Sequence, residues 1–176
     1  AGVSTESGIK DFRSVDGLYH LKYKYPPEII LSHTFFQTHS KDFFEFYVDK
    51  IVQPTLAAKP NAAHKKLVEL ERAGKLTAIV TQNIDGLHQA AGSQTVLELH
   101  GSIHRNHCIN CGMSYSLQQL SFTEAIPYCP CGGIIRPDVV LYEEPLQEDV
   151  IQKTIQAIHS ADLLIVGGTS LRVYPA

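Results

Sequence analysis

Leu76-Thr77-Ala78-Ile79-Val80-Thr81-Gln82-Asn83-Ile84-Asp85-Gly86-Leu87-His88 decides the fold class of this chain. Its first six residues form a short apolar run with β-branched members. The stretch before it has a helical pattern: Asn61 is a good cap, Ala63, Leu67 and Leu70 follow at helical spacing, and Gly74 is a stop. A helix leading directly into such a run fits an α/β unit with a buried parallel strand. Open α/β sheets bind ligands just past the carboxyl ends of their strands. Gln82, Asn83 and Asp85 stand at that point, with amides suited to sugar hydroxyls or a carboxamide and a carboxylate able to accept an N–H. Read alone, the same run is better explained as an Asx-rich turn that caps a helix.

Outward from this unit the rhythm continues. Val96 to Leu99 is a second short strand ending at His100. Ile151, Ile155 and Ile158 mark a later helix, and Asp162 to Gly168 then predicts another buried parallel strand, with Thr169-Ser170 past its end. Upstream, Ser40 is placed to cap a helix reaching about Thr55, with Phe43, Tyr47 and Ile51 on one stripe and Pro54 near its end. Residues 1–30 read as a long loop with a short helix from Gly17 to Lys22, and loops of that length are usually functional or mobile.

The cysteines number four: Cys108, Cys111, Cys129 and Cys131. Two close pairs separated by Gly112 to Tyr128 match a structural zinc site, although Cys129-Pro130-Cys131 is one residue tighter than the usual pair. Two disulfides are the alternative in a secreted chain, but a Cys-x-Cys pair closing on itself is strained. Buried, unbound thiols are the other. Zinc implies a reducing compartment, here the cytoplasm. Four thiolates fill a tetrahedron, so the metal holds structure, and His107 falls outside its ligand set. A metal replaces the core that so short an insert cannot build.

The 176 residues suffice for one good core or for a domain with a small appended module. With 44% hydrophobic residues and a formal charge of -3, nothing indicates disorder or the basic surface that nucleic acid needs. No apolar run approaches the roughly 20 residues of a membrane span, and no signal-peptide pattern opens the chain. Neither end looks like a natural boundary, so the sequence reads as a piece of something longer.

His100 is the best general-base candidate: its ordinary pKa lies near working pH, and Gly101 permits close approach of backbone or ligand. A lone histidine at a strand end is more often structural. His20, His33, His39, His64, His104 and His159 have no such context. No Ser-His-Asp order is defensible, and zinc leaves no free cysteine as nucleophile. Gly2 and Ser4 carry a weak anion-cradle signal, and Phe12-Arg13 a weak anion-contact one.

In combination these pieces resemble the sirtuins, the NAD-dependent protein deacylases. Ala1-Gly2-Val3-Ser4-Thr5-Glu6-Ser7-Gly8-Ile9-Lys10-Asp11-Phe12-Arg13 resembles the family's opening signature, and Thr81 to His88 its second. His100-Gly101, the cysteine module, Pro137-Asp138-Val139-Val140 and Gly168-Thr169-Ser170-Leu171 follow in the family's order. The resemblance covers nearly the whole chain. It implies a Rossmann-like parallel sheet in an α/β fold with a small inserted zinc-binding module: residues 1–101 and 138–176 as the NAD-binding domain, and 102–137 as the module. It implies Ala1, Gly2, Ser4, Asp11, Phe12 and Arg13 in the first loop around NAD, and Gln82, Asn83 and Asp85 along the ribose and nicotinamide pocket. Gly168, Thr169 and Ser170 fall on the phosphate and adenosine side. His100, with Asn83, is the catalytic set, and Val140, Glu143 and Glu144 border a groove where an acyl-lysine peptide adds as a strand. The electrophile is then the cofactor's ribose carbon, so no protein nucleophile is needed.

Relative to the family pattern, the first glycine of the opening motif, the strand that carries it and the segment after Ala176 lie outside the sequence. Tyr19-His20-Leu21-Lys22 has lysine where sirtuins that remove acidic acyl groups carry arginine, which favours acetyl or another uncharged acyl group. The rival expectations are an ADP-ribosyltransferase using the same pocket and a non-catalytic zinc-stapled binding module.

Overall fold

The computed structural model describes residues 1–11, 17, 24–122, 125–169 and 171. The expected helix at Gly17 to Lys22, the contacts of Phe12 and Arg13, the Tyr19 to Lys22 comparison and Ser170 lie outside the described residues. A 3-10 helix, Gly2–Ser7, opens the chain. A helical block follows: α1 (Pro27–Ile30), α2 (His33–Thr38), α3 (Ser40–Tyr47), one wider π turn (Val48–Val52) and α4 (Gln53–Ala57). Its core is aromatic. Phe43 and Tyr47 stack, Phe44 meets both edge-on, and Ile30, Leu31, Phe36 and Val52 close around them. Ser40 does not cap α3 as expected. Its hydroxyl instead donates to the Phe36 carbonyl at 2.7 Å, tying α3 back onto α2, and His39 takes the cap position.

The α/β unit is present: α5 (Ala62–Arg72), β1 (Ile79–Thr81), α6 (Leu87–Ala91) and β2 (Val96–Glu98). β1 and β2 pair in parallel, Ile79 opposite Val96 and Thr81 opposite Glu98. Asn61 caps α5, its Oδ1 accepting from the Ala63 and His64 amides. α5 buries His64 and Val68, leaves Ala63 exposed and half-buries Leu67 and Leu70. Glu71, near the helix end, accepts from the Gln94 and Thr95 amides and so fixes the entry of β2.

β3 (Gly101–Cys108), β4 (Ser114–Ser116) and β5 (Ile135–Val139) form an antiparallel sheet in the order β4-β3-β5. The β3–β5 register shifts between Ser102 and Asn106. That irregularity drives Ile103, fully buried, into the aromatic core, so the helical block sits on this sheet. Pro137 lies in β5, an edge strand where a missing amide costs no ladder bond.

α7 (Glu148–His159) is a helix as expected and packs beside β2. The strand expected after it is not formed. Leu163 to Val166 pair with no strand among the described residues, and Leu163 and Ile165 are 75% and 79% exposed. An apolar run becomes a buried strand only with a ladder neighbour and a covering layer, and the described residues supply neither. The sheets are open and mixed, with helices around the parallel pair. Among the described residues no helix is long and apolar enough to cross a membrane.

Candidate active site

Asp85 organises the turn after β1. It is buried, and its two oxygens do different work. Oδ1 accepts from the Leu87 amide at 2.9 Å and opens α6, while Oδ2 accepts from Ser4 Oγ at 2.7 Å and Asn83 Nδ2 at 3.1 Å. Asn83 Nδ2 also reaches Ser4 Oγ at 2.9 Å. The helix-capping reading and the site reading of this run are therefore both satisfied, one by each oxygen. Gly86, at φ 71°, makes room for the His104 ring, which donates from Nε2 to the Asp85 carbonyl.

The first loop is held against this turn and against Gly168. The Gly2 amide donates to the Gly168 carbonyl at 2.9 Å, and a Cβ at Gly2 would sit 2.7 Å from the Gly168 Cα. Two glycines thus let two backbones touch, an approach no other residue pair permits here. Asn61 adds a second tie, its Nδ2 donating to the Val3 carbonyl at 2.8 Å and to Ser7 Oγ at 3.0 Å. Thr169 Oγ1 reaches Gln82 Oε1 at 3.4 Å. Ala1 joins through its carbonyl, which accepts from the Ser4 amide at 2.9 Å, and Asp11 lies near its backbone nitrogen. Ala1, Gly2, Ser4, Asp11, Gln82, Asn83, Asp85, Gly168 and Thr169 are thereby brought into one neighbourhood.

His100 lies at its edge. Its Nδ1 is 3.0 Å from the Gln82 carbonyl, an acceptor, so Nδ1 carries the proton and Nε2 is left with its lone pair. Burial pushes its pKa below the ordinary histidine value, partly offset by the Gln82 bond, so the base form prevails at neutral pH. Gly101 follows at φ 74°, and a Cβ there would lie inside the Asp138 carbonyl oxygen's radius. Only glycine lets β3 begin immediately after His100. The Val140 amide donates to the His100 carbonyl at 3.0 Å, which puts the segment after β5 beside the base.

The four cysteine sulfurs lie within 4.8 Å of one another. Cys108 Sγ is 3.4 Å from Cys131 Sγ, and Cys111 Sγ is 3.6 Å from Cys129 Sγ. Edges of a zinc–thiolate tetrahedron are about 3.8 Å for bonds of about 2.3 Å, so the cluster fits one such ion, and the short Cys-x-Cys pair keeps both ligands. Tyr115 Oη donates to Cys129 Sγ at 3.0 Å and holds that thiol below its usual range, to about 6. His107 turns away and pairs with Asp138.

These features converge on known proteins. The Sir2 family model matches residues 1–175. The chain is 62% identical to an NAD-dependent protein deacetylase of Clostridium acetobutylicum, covering all of this chain and 73% of that protein. It is 56% identical to one of Clostridium tetani, covering 72% of it. A solved Sir2 complex with a p53 peptide and NAD+ superposes with a TM-score of 0.87 at 40% identity, over 99% of this chain and 70% of that one. A Sir2 structure bound to a propionylated peptide gives 0.86 at 38%. The chain belongs to the Sir2 family.

In this Sir2 chain several residues near the site carry no mark in a motif reading. Asn61 was legible as a cap but not as the tether of the first loop. His64 lies fully buried, 4.8 Å ring to ring from His88, and its Nδ1 accepts from the Asn61 amide. The Asn61–His64 spacing, cap residue and third helical position, was the available signal. Arg136 and His33 carry no such signal at all.

Proposed function

We propose that this chain removes acetyl or another uncharged acyl group from protein lysine, consuming NAD and releasing nicotinamide and O-acyl-ADP-ribose. One observation carries the reading: His100 is held by the Gln82 carbonyl with Nε2 unprotonated, next to the Ser4–Asn83–Asp85 cluster. NAD, when bound, supplies the electrophilic ribose carbon. His100 Nε2 accepts a proton from a hydroxyl presented to it, and the Gln82 carbonyl steadies the charged ring through Nδ1–H. Asn83 and Asp85 orient polar groups at the turn, and Asp11, Phe12 and Arg13 belong with Ala1, Gly2 and Ser4 to the loop that covers the dinucleotide. Gly168, Thr169 and Ser170 receive its phosphate and adenosine side. Val140, Glu143 and Glu144 border the peptide groove.

Cys108, Cys111, Cys129 and Cys131 hold a structural zinc ion. Four reduced thiolates suit a reducing compartment such as the cytoplasm. The deacetylase names of the relatives and the propionylated peptide of the structural neighbour support an uncharged acyl group over ADP-ribosyl transfer.

The test is His100→Ala, with nicotinamide release measured on an acetyl-lysine peptide. Turnover should fall by about 10²–10⁴-fold, the usual worth of a general base, with zinc content unchanged. Turnover near that of the parent chain would overturn the assignment. A succinyl peptide run beside the acetyl one reads the acyl preference.

A further inference from the structure

We propose that Arg136, Glu144 and His33 form a positioning clamp that fixes the Val139–Tyr142 segment as the wall against which the substrate peptide lies. This rests on the deacylase reading, which already sets Glu144 beside the groove, and adds Arg136 and His33 as its supports.

The clamp is built around the Glu144 carboxylate, which with Arg136 is mostly withdrawn from solvent. Arg136 grips it with both arms, Nη1 to Oε1 at 2.8 Å and Nη2 to Oε2 at 3.0 Å. The Leu141 amide donates to Oε2 at 2.9 Å. His33 Nδ1 is 2.7 Å from Oε1, and since a carboxylate only accepts, His33 donates there. Its Nε2 lies 2.7 Å from Gln37 Nε2, so both ring nitrogens have partners. Each carboxylate oxygen therefore has two donors. Burial pushes the Glu144 pKa up, but the Arg136, Leu141 and His33 donors outweigh it and pull it down to about 2.

The same Arg136 reaches forward to the Val139 carbonyl at 3.1 Å and lies over the Phe36 ring at 5.5 Å. Further along, the Tyr142 amide donates to the Leu31 carbonyl and the His33 amide to the Tyr142 carbonyl, each at 3.0 Å. Glu143 bends the chain at φ 76°, a left-handed conformation unusual for a side chain that size, and its Oε2 accepts from the Thr34 amide at 2.9 Å. The segment is thus tied at Val139 and Leu141 to the Arg136–Glu144 pair, and at Tyr142, with the adjoining Glu143, to the helical block. At Val140 it is pinned to the His100 carbonyl instead. Loosening the clamp moves the groove wall relative to the base, and small misplacements of that kind are costly to a reacting pair.

The variants are Glu144→Gln, which removes the charge and keeps the shape, Arg136→Met, and Arg136→Lys, which keeps the charge and loses the fork. His33→Gln is the mildest. In Glu144→Gln and Arg136→Met the KM for acetyl-lysine peptide should rise at least about tenfold, while the KM for NAD and the zinc content stay within about twofold. Arg136→Lys should recover part of the loss, and the Leu141 and Tyr142 amides should exchange hydrogen faster in Glu144→Gln. Peptide KM within about twofold of the parent chain, with only a lower melting temperature, would overturn the clamp. So would peptide and NAD constants that rise together. Parent chain that turns over no acetyl-lysine peptide would overturn the deacylase reading, and the clamp's purpose with it.

Discussion

Two apolar runs in this chain read alike and fold differently. Ala78-Ile79-Val80 and Leu163-Leu164-Ile165-Val166 each follow a helix and each look like buried parallel strands. The first pairs with β2 and buries Ile79, while the second leaves its side chains in solvent. The difference lies in what stands beside them: β1 has β2 in register, Glu71 fixing the entry of β2, and Asp85 closing its far end. Strand character is a property of the pair rather than of the run.

The antiparallel sheet is the extreme of the supported kind, since its small lobe has ladders on both sides of β3 and a metal-sized thiolate cluster in place of a core. Stripping the zinc proposed for that cluster with a chelator should therefore give the largest effect. The melting temperature should fall by more than about 10 °C, and exchange protection should be lost first in β4 and β5, with α5 and β1 less affected. Uniform loss across both regions would break the contrast.

Ile79→Ala should be next, costing about 2–4 kcal/mol in a denaturant titration because it empties a supported, buried position. Acidification should act on the same unit from the α5 side. His64 and His88 are buried, their pKa values are pushed down chiefly by burial, and His64 Nε2 and His88 Nδ1 have no hydrogen-bond partner. Their neutral forms are the ones the fold accepts. This contribution is complete above about pH 6.5, the unfolded value, and is lost as pH falls through the lower folded values. A pH series should show the α5–α6 amides losing protection below about pH 6.5, and His64→Gln should flatten that response. Leu163→Lys should be smallest, within about 0.5 kcal/mol of the parent chain. A clear loss there would mean the run is covered in solution and would erase the difference between the two runs.

What could be read in advance follows the same division. Asn61, Gly74, Gly101 and the cysteines are residue types whose local chemistry nearly dictates their place: Asn61 caps α5, Gly74 follows its end, Gly101 takes a positive φ, and the four sulfurs gather within 4.8 Å. His100 was readable because a titrating ring stood beside a glycine at a strand end. Ser40 was misjudged because its hydroxyl turns back to the Phe36 carbonyl of the preceding helix, and the 163–166 run because a strand needs a partner, which no residue type in the run itself supplies. The Arg136–Glu144 pair was illegible for a related reason. They stand eight positions apart, with the left-handed bend at Glu143 between them.

Asn61 has a consequence beyond capping. Its single side-chain amide is saturated, the oxygen serving the first turn of α5 and the nitrogen serving Val3 and Ser7. Scaffold and first loop therefore share one joint and cannot be tuned separately. Any replacement that frees the loop also frays the helix, so the two should melt, and drift in evolution, as one unit.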